Sequence, residues 1–577
     1  MLTLEKFEQL VGVDLPPKET PMSFVGAKGE LMDNWLASLP HLNKHEQYKQ
    51  IKTVLSELVV ANIDDNARLA ILEKLPVSID RLVGQLHHDY IYDAQNSLTE
   101  QQACIDEVRS LYFLSVLCYQ GVAVRAYQAI NATNTPTKNP KKSGTKLKGW
   151  LNNLSGGLGG SVVSNGLAID LVGGPRRLLA IAIYRMMTAY YQLLMEFALV
   201  YRKAPNTLWR EMNLWFLRAV SEGVDKVPIG KLLKSQKEDS IYLQYAQSCM
   251  ASFTNLFAYR RQDILNIFKI LPKWVLRLNT SFEPVHHLKV FVNLQGDLSP
   301  EIITPNASIN PYSKAAVCLF FDFAELFEYL VKIEQDEASS KNIFEARLAK
   351  MVKLTFERQA IEVEGRVRFQ EADFLRGFGS VFKEMANDRS FNQIIRQAEL
   401  AAEYHPKKMP SATAHCPKET VRVFVKSDMG VRFFCGETSQ EDKEEALNCP
   451  YLQAFGLFAI KSQASDNQHP WRLGIVHWVE HQETRIEVDG RFLGRILSVC
   501  GIRLLTHDMR SKDFVQALLI AGDELNQQTT LVIPRYHFKE SDTVILRVDN
   551  KETTLRLDKK LLATDDIEQY QIVRLSA

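Results

Sequence analysis

The sequence lacks the short motifs that identify most enzymes and metal proteins. Its eight cysteines are scattered and form no Cys-x-x-Cys pair, so the spacing of a zinc site or a redox dithiol is missing. No Gly-x-Ser-x-Gly, His-Glu-x-x-His or papain-type cysteine signature occurs in the chain. We therefore predict a protein that is not an enzyme, that needs no cofactor or metal, and whose thiols pack as small apolar groups. A catalytic site assembled only by folding is the alternative.

An excess of charge of either sign is also missing. The chain has 69 basic and 68 acidic residues, a net charge of +1. Because this balance creates no overall field toward polyanions, we predict no DNA binding, and any anion site has to be local. The segment from Met1 onward lacks the basic and apolar parts of a signal peptide. The most apolar stretch, 178–201, contains Arg185, Gln192 and Glu196, which are costly in a bilayer. We predict a buried helix there and a cytoplasmic protein that is not integral to a membrane.

A long region of helical periodicity fills the first part of the chain. From about residue 44 to 350, apolar residues recur at steps of three and four, as in Ile51, Val54, Leu55 and Leu58. Glycine and proline cluster between these runs, where helices are expected to end. We predict helical regions at 1–130 and 166–354.

Residues 131–165 interrupt the helical region with a basic, Gly/Ser-rich segment. It carries five lysines and no acidic residue: Lys138, Lys141, Lys142, Lys146 and Lys148. Such a segment is a candidate contact for RNA, anionic lipid or an acidic partner, although a solvated insertion between helices explains it as well. The run from Gly156 to Gly160 has neither the Gly-Lys-Ser/Thr ending nor the preceding strand of a phosphate loop.

Near residue 355 the periodicity becomes that of strands. Ile361, Val363, Val367 and Phe369 alternate with other residues, and after a helical stretch short apolar runs separated by turn residues continue from Glu419 to the end. We predict an α+β multidomain protein, with a mainly α-helical N-terminal body followed by a C-terminal antiparallel β-barrel. The barrel with its helical insertion is placed at 355–512 and a β-rich extension at 513–577. Whether this region forms one barrel or two stays open.

Two segments of the predicted barrel carry a family resemblance. Val425-Lys-Ser427-Asp-Met-Gly430-Val-Arg-Phe, followed by Trp471-Arg-Leu-Gly474-Ile-Val-His-Trp478, is similar to the PilZ family of bacterial β-barrels. The whole chain resembles large bacterial proteins with a helical N-terminal region and a PilZ-like end, partly on residues 208–215 and 252–263. The resemblance implies a receptor for cyclic di-GMP that binds its ligand at the turn containing Ser427 and Gly430.

The ligand site that the resemblance implies is incomplete. Val425 stands where the family has Asp or Asn, and the family's Arg-x-x-x-Arg pair before the turn is not intact. The arginines that remain as candidates are Arg358, Arg366 and Arg368 before the turn and Arg491 and Arg495 after it. Arg491 and Arg495 have the family's spacing, but they follow the Trp478 strand. Guanidinium groups suit this ligand because they pair with phosphate and stack on guanine.

The sequence thus favours a non-enzymatic signalling or adaptor protein. In this hypothesis the helical body contacts a protein partner and the PilZ-like module binds cyclic di-GMP. The alternative is a peripheral RNA- or membrane-associated factor that acts through Lys138 to Lys148.

Overall fold

The structure is a computed structural model that describes residues 22–575 with several gaps. The longer gaps are 93–97, 134–173, 234–238, 284–289, 336–344, 350–365, 396–417, 437–451, 464–470, 506–513 and 522–527, and there are also gaps of one to three residues. The chain forms two compact units. The first comprises Met1–Tyr92, Gln101–Leu256 and Gln262–Ala360, and the second comprises Asp93–Glu100, Phe257–Arg261 and Ile361–Ala577.

The first unit contains eleven α-helices among the described residues. The first residues of two of them, 98–100 and 261, fall in the second unit. The eleven helices are α1 (Met32–Ser38), α2 (Lys44–Val60), α3 (Asp65–Leu72), α4 (Pro76–His87), α5 (Leu98–Thr133), α6 (Pro175–Leu199), α7 (Asn206–Ser221), α8 (Ile229–Leu233), α9 (Ile241–Phe253), α10 (Arg261–Trp274) and α11 (Ala324–Gln335). Several begin at a residue that can cap the free N–H groups of a first turn. The Asn43 side chain accepts a hydrogen bond from the Glu46 N–H, and Asp64 does the same for Asn66 and Ala67.

Helix α6 lies at the centre of this unit. Helices α7, α8 and α9 pack against it, and most of its side chains are buried. Among the described residues it is the one helix long and apolar enough to cross a bilayer. However, 78% of its most apolar stretch of eighteen residues is buried inside the protein. Two of the three polar residues predicted to be costly in lipid have partners here. Arg185 forms an ion pair with Glu73, and Glu196 accepts hydrogen bonds from His87 and Tyr90.

The first unit also contains strands that the periodicity did not predict. Within 166–354, predicted to be a helical region, β1 (Asn279–Ser281), β2 (Val290–Asn293), β3 (Glu301–Ile302) and β4 (Cys318–Asp322) form an antiparallel sheet in the order β1-β4-β2-β3. The strands are two to five residues long, and β2 and β4 are buried at nearly every position. A strand buried on both faces shows no alternation, so its sequence resembles a turn of buried helix.

Among the residues that the structure describes, the second unit contains eleven strands and two complete helices. They are β5 (Arg366–Arg376), α12 (Phe378–Ala386), α13 (Phe391–Ile395), β6 (Glu419–Lys426), β7 (Gly430–Gly436), β8 (Leu457–Ser462), β9 (Arg472–His481), β10 (Arg485–Leu504), β11 (Val515–Ala521), β12 (Thr530–Pro534), β13 (Thr543–Val548), β14 (Lys551–Ala563) and β15 (Ile567–Arg574). All described strand pairs are antiparallel. The predicted fold class, a helical body followed by an antiparallel β-barrel, is confirmed.

The strand pairing closes two six-stranded barrels that share β10. The first runs β10-β7-β6-β5-β8-β9 and returns to β10, and the second runs β10-β11-β12-β15-β14-β13 and returns to β10. The first half of β10 pairs with β7 and β9, and its second half pairs with β11 and β13. The predicted boundary at 512/513 therefore does not separate the two barrels. Residues 495–504 already belong to the second barrel because one continuous strand serves both.

Helices α12 and α13, the predicted helical insertion, cover the junction of the two barrels. Helix α12 packs against β5, β8, β10 and β11, and α13 packs against β10 and β13. One hydrophobic cluster joins Phe378, Val381 and Phe382 of α12 to Leu473 of the first barrel and Leu518 of the second. This cluster spans the junction, and the second barrel has a further hydrophobic cluster of its own.

Candidate functional site

The turn between β6 and β7 lies beside an arginine from a distant part of the sequence. Arg491 of β10 is the direct cross-strand partner of Gly430, the last residue of the predicted turn motif. The Phe492 N–H donates a hydrogen bond of 3.0 Å to the Met429 carbonyl oxygen, which fixes β10 against the turn. Arg491 is exposed, and its guanidinium has no ion-pair or hydrogen-bond partner among the described residues. A free guanidinium therefore stands next to the turn.

Gly430 is required by this close approach of two strands. A Cβ atom at this position would lie 2.5 Å from the Gly490 carbonyl oxygen, and that backbone atom cannot move away as a flexible side chain could. The glycine of the motif therefore brings β10, and Arg491 with it, against the beginning of β7.

Arg495 lies further along β10, where the first barrel passes into the second. Its cross-strand partners are Arg472 of β9 and Ala521 of β11. Arg495 is exposed and, like Arg491, has no ion-pair partner in the part of the chain that the structure describes. The Arg472 guanidinium lies 3.9 Å from the centre of the Phe492 ring. Two neighbouring strands of the first barrel thus contribute three arginines, at positions 472, 491 and 495.

An ion-paired cluster lies beside Arg491 on the same side of the sheet. Asp489 precedes Arg491 by two residues, and the two side chains point to the same side because β10 pairs with β7 without irregularity here. Arg432 Nε donates to Asp489 Oδ1 at 3.0 Å, and His477 Nδ1 lies 3.1 Å from Asp489 Oδ2. Burial alone would raise the pKa of Asp489, but the hydrogen bonds and charges of His477 and Arg432 hold it below its usual value. Asp489 therefore pairs with Arg432. Arg491, two residues further along β10, has no ion-pair partner among the described residues.

The cluster predicts a pH-dependent contribution to stability. Because the folded pKa of Asp489 lies below its ordinary value near ~3.9, its stabilisation is present above that value and is lost as the pH falls through the folded pKa. We expect Asp489→Asn to lower the free energy of unfolding by about 1 kcal/mol near neutral pH, discounted for the partly exposed partners. Urea denaturation of both proteins should show the difference shrinking as the pH falls below ~4. A difference of the same size at both ends of this range would contradict the assignment.

Several predicted site residues lie outside what the structure describes. They are Arg358, Ser427 and the five lysines of the basic segment, Lys138, Lys141, Lys142, Lys146 and Lys148. For Arg366 and Arg368 the structure describes the backbone of β5 but not the side chains. The Arg366 Cα is paired with that of Val425, so the beginning of β5 runs beside the end of β6.

No pattern in the sequence predicted the Arg432–Asp489–His477 cluster. Its members are twelve to fifty-seven residues apart and come together only through the pairing of β7, β9 and β10. Among the described residues there is no group of three or more His, Cys, Asp or Glu side chains that could hold a metal ion. The arrangement near the turn is cationic, which suits an anionic ligand.

The molecule is defined by a helical unit followed by a unit of two fused antiparallel barrels. Residues 30–284 match the family model of the N-terminal domain of the cyclic-di-GMP receptor FimW, and residues 500–575 match the model of the FimW C-terminal β-barrel domain. Two separate parts of the chain are therefore similar to the two FimW domains, and the second match coincides with the second barrel.

A full-length relative agrees with these matches. The chain is 19% identical to the cyclic-di-GMP receptor FimW of Pseudomonas aeruginosa over 619 aligned positions, which cover 96% of this chain and 92% of the relative. No solved structure matches the chain. The first barrel lies between the ranges of the two family models, and it is the part that carries the turn and Arg491.

Proposed function

We propose that this chain is a non-enzymatic receptor for cyclic di-GMP and that the first barrel is its PilZ-like ligand-binding module. The proposal is supported at the level of the whole chain by the matches to both FimW domains and to a receptor named for this ligand. Within the first barrel it rests on one observation, the position of Arg491 beside Gly430.

Arg491 supplies a guanidinium group at the turn, where the arginine pair expected earlier in the sequence is not intact. Cyclic di-GMP has two phosphodiester groups and two guanine rings, so its receptor needs planar donors that pair with phosphate or stack on a base. In this proposal Arg491 takes that role at the turn, and Arg495 and Arg472 extend the cationic surface along β10 and β9. Arg432 does not take part in the same way because Asp489 already pairs with it.

The helical unit is proposed to contact a protein partner in the cytoplasm. This part is supported by the match of residues 30–284 to a domain of the cyclic-di-GMP receptor FimW, because a receptor without catalytic groups has to pass its signal to another molecule. The proposal places nucleotide binding in the second unit and partner contact in the first.

Titration calorimetry with cyclic di-GMP tests the site directly. We expect the full-length protein to bind and Arg491→Ala to weaken binding by roughly tenfold to a hundredfold, the effect of losing one or two charge-assisted hydrogen bonds. Arg422→Ala is the matched control, because Arg422 is exposed on β6 and its cross-strand partner on β7 is Phe434, away from the turn.

The controls separate three outcomes. If the wild-type protein does not bind, the receptor proposal fails. If Arg491→Ala and Arg422→Ala bind equally well, the receptor proposal stands but the site is not at Arg491. If both weaken binding to the same extent, only the general charge of the barrel matters, and the specific role of Arg491 is wrong.

A further inference from the structure

The second barrel carries a pair of arginines on either side of one aromatic ring. Arg503 of β10 and Arg547 of β13 lie over the ring of Phe514, with their guanidinium carbons 5.0 Å and 5.6 Å from its centre. The Phe514 ring packs next to the backbone at Gly501. A Cβ atom on Gly501 would lie 3.2 Å from Phe514 and 2.6 Å from Ile395 of α13, so the absence of a side chain at 501 makes room for both.

The two guanidinium groups make few of the interactions that they are able to make. Neither has a hydrogen-bond partner among the described residues, and the Nε atoms of both are buried. An arginine has five N–H donors, and a buried donor without an acceptor is costly. Their shared neighbour is Glu552, whose Oε1 lies 3.9 Å from Arg503 Nη2 and 3.7 Å from Arg547 Nε, beyond hydrogen-bond length.

The strand register explains why these groups remain together. Arg547 is the cross-strand partner of Gly501 on one side and of Glu552 on the other, and Arg503 follows Gly501 by two residues on the same side of the sheet. Two positive charges are thus held side by side on a rigid barrel, with one carboxylate between them. The cluster has a net charge of +1 and an excess of unused donors.

We propose that Arg503, Phe514 and Arg547 form a second anion-binding site, one that takes a phosphate group. A phosphate offers several acceptor oxygens that both guanidinium forks can share, and it would supply acceptors to donors that lack them. Glu552 opposes the anion and has to turn away when it binds; its side chain is 41% exposed and free to do so. The site lies on the second barrel and does not depend on the proposed role of Arg491.

The test is titration calorimetry of the full-length protein at low salt, with inorganic pyrophosphate as the probe. We expect saturable binding by the wild type and roughly tenfold weaker binding by Arg503→Gln and by Arg547→Gln. Arg556→Gln is the control, because Arg556 is an exposed arginine of the same barrel that already pairs with Asp558. Arg503→Lys separates a fork-shaped site from a general positive charge, since lysine keeps the charge but loses the fork.

Glu552→Gln keeps the proposal falsifiable even if an arginine variant folds poorly. Removal of the opposing carboxylate should tighten pyrophosphate binding several-fold, a gain that misfolding cannot produce. The proposal is overturned if the wild type does not saturate, if Glu552→Gln binds no more tightly, or if Arg503→Gln behaves like Arg556→Gln.

Cyclic di-GMP titrated into Arg491→Ala identifies the source of the phosphate. If Arg491→Ala still binds cyclic di-GMP, and adding Arg503→Gln abolishes this residual binding, the site is supported and the nucleotide is its ligand. No residual binding, with pyrophosphate binding retained, supports the site and assigns it to another phosphorylated molecule.

Discussion

Replacing Glu196 with alanine is expected to lower the free energy of unfolding of the helical unit by about 3–5 kcal/mol. Glu196 is fully buried in α6 and accepts hydrogen bonds from Tyr90 and from His87, whose Nε2 lies 2.8 Å from Oε1. Arg109 is also buried, and its Nη2 donates to the Glu196 carbonyl oxygen at 3.3 Å. Burial lowers the pKa of Arg109, and the negative charge of Glu196 acts against that decrease. The alanine variant would leave His87 and Tyr90 without their shared acceptor, and Arg109 would keep its bond to the backbone carbonyl but lose the neighbouring negative charge.

The measurement is urea denaturation followed by far-ultraviolet circular dichroism, which reports mainly on the helical unit. Glu328→Ala is the matched control because Glu328 is an exposed residue of α11, and its loss should change the free energy of unfolding by no more than about 0.5 kcal/mol. Glu196→Gln keeps the volume and one acceptor oxygen, so we expect an intermediate loss. If Glu196→Ala unfolds at the same urea concentration as Glu328→Ala, the network does not stabilise the unit.

The sequence predicted local features of this fold much better than pairings between distant residues. Strands β6 and β7 pair on either side of the turn that the sequence indicated, where alternation and turn residues are both present within fifteen residues of sequence. The fold class followed from the change from a period of three or four residues to a period of two. These signals are local, and the structure preserves them.

The length and the register of strand β10 were not predicted from the sequence. The pattern after Glu419 predicted short strands separated by turn residues, whereas β10 is one strand of twenty residues. Asp489-Gly490 and Gly494 have the composition of turns, and strands of this length are uncommon. The register of β10 against β7, which brings Arg491 to Gly430, joins residues 61 positions apart and leaves no local pattern in the sequence.

The same argument applies to the second arginine cluster. Arg503, Phe514 and Arg547 come from three strand regions, and no short motif contains them. Their approach depends on the closure of the second barrel through β11 and β13. Candidate arginines can be counted in a sequence, but the ones that lie together are determined by strand register.

Gly494 is the residue that allows β10 to serve two barrels. Its φ is +145°, in a region that favours glycine, and a Cβ atom there would lie 2.5 Å from both the Ala521 carbonyl oxygen and Ile520 Cγ2. The pairing with β9 is irregular between Phe492 and Gly494, and the pairing with β11 is irregular between Ile496 and Ser498. Such irregularities bend a strand and increase its twist, so β10 can leave one barrel and enter the next.

We therefore expect Gly494→Val to destabilise the double-barrel unit by about 3 kcal/mol or more, through backbone strain together with the clash against Ala521. Thermal unfolding should show a midpoint lower by roughly 2–4 °C for each kcal/mol lost. Gly223→Ala is the control for strain alone, because Gly223 has a φ of +68° but no atom within 4 Å of an added Cβ. Adding Ile520→Ala to Gly494→Val should rescue little, since the Ala521 carbonyl oxygen remains. A Gly494→Val protein as stable as Gly223→Ala would mean that β10 can pass between the barrels without this glycine.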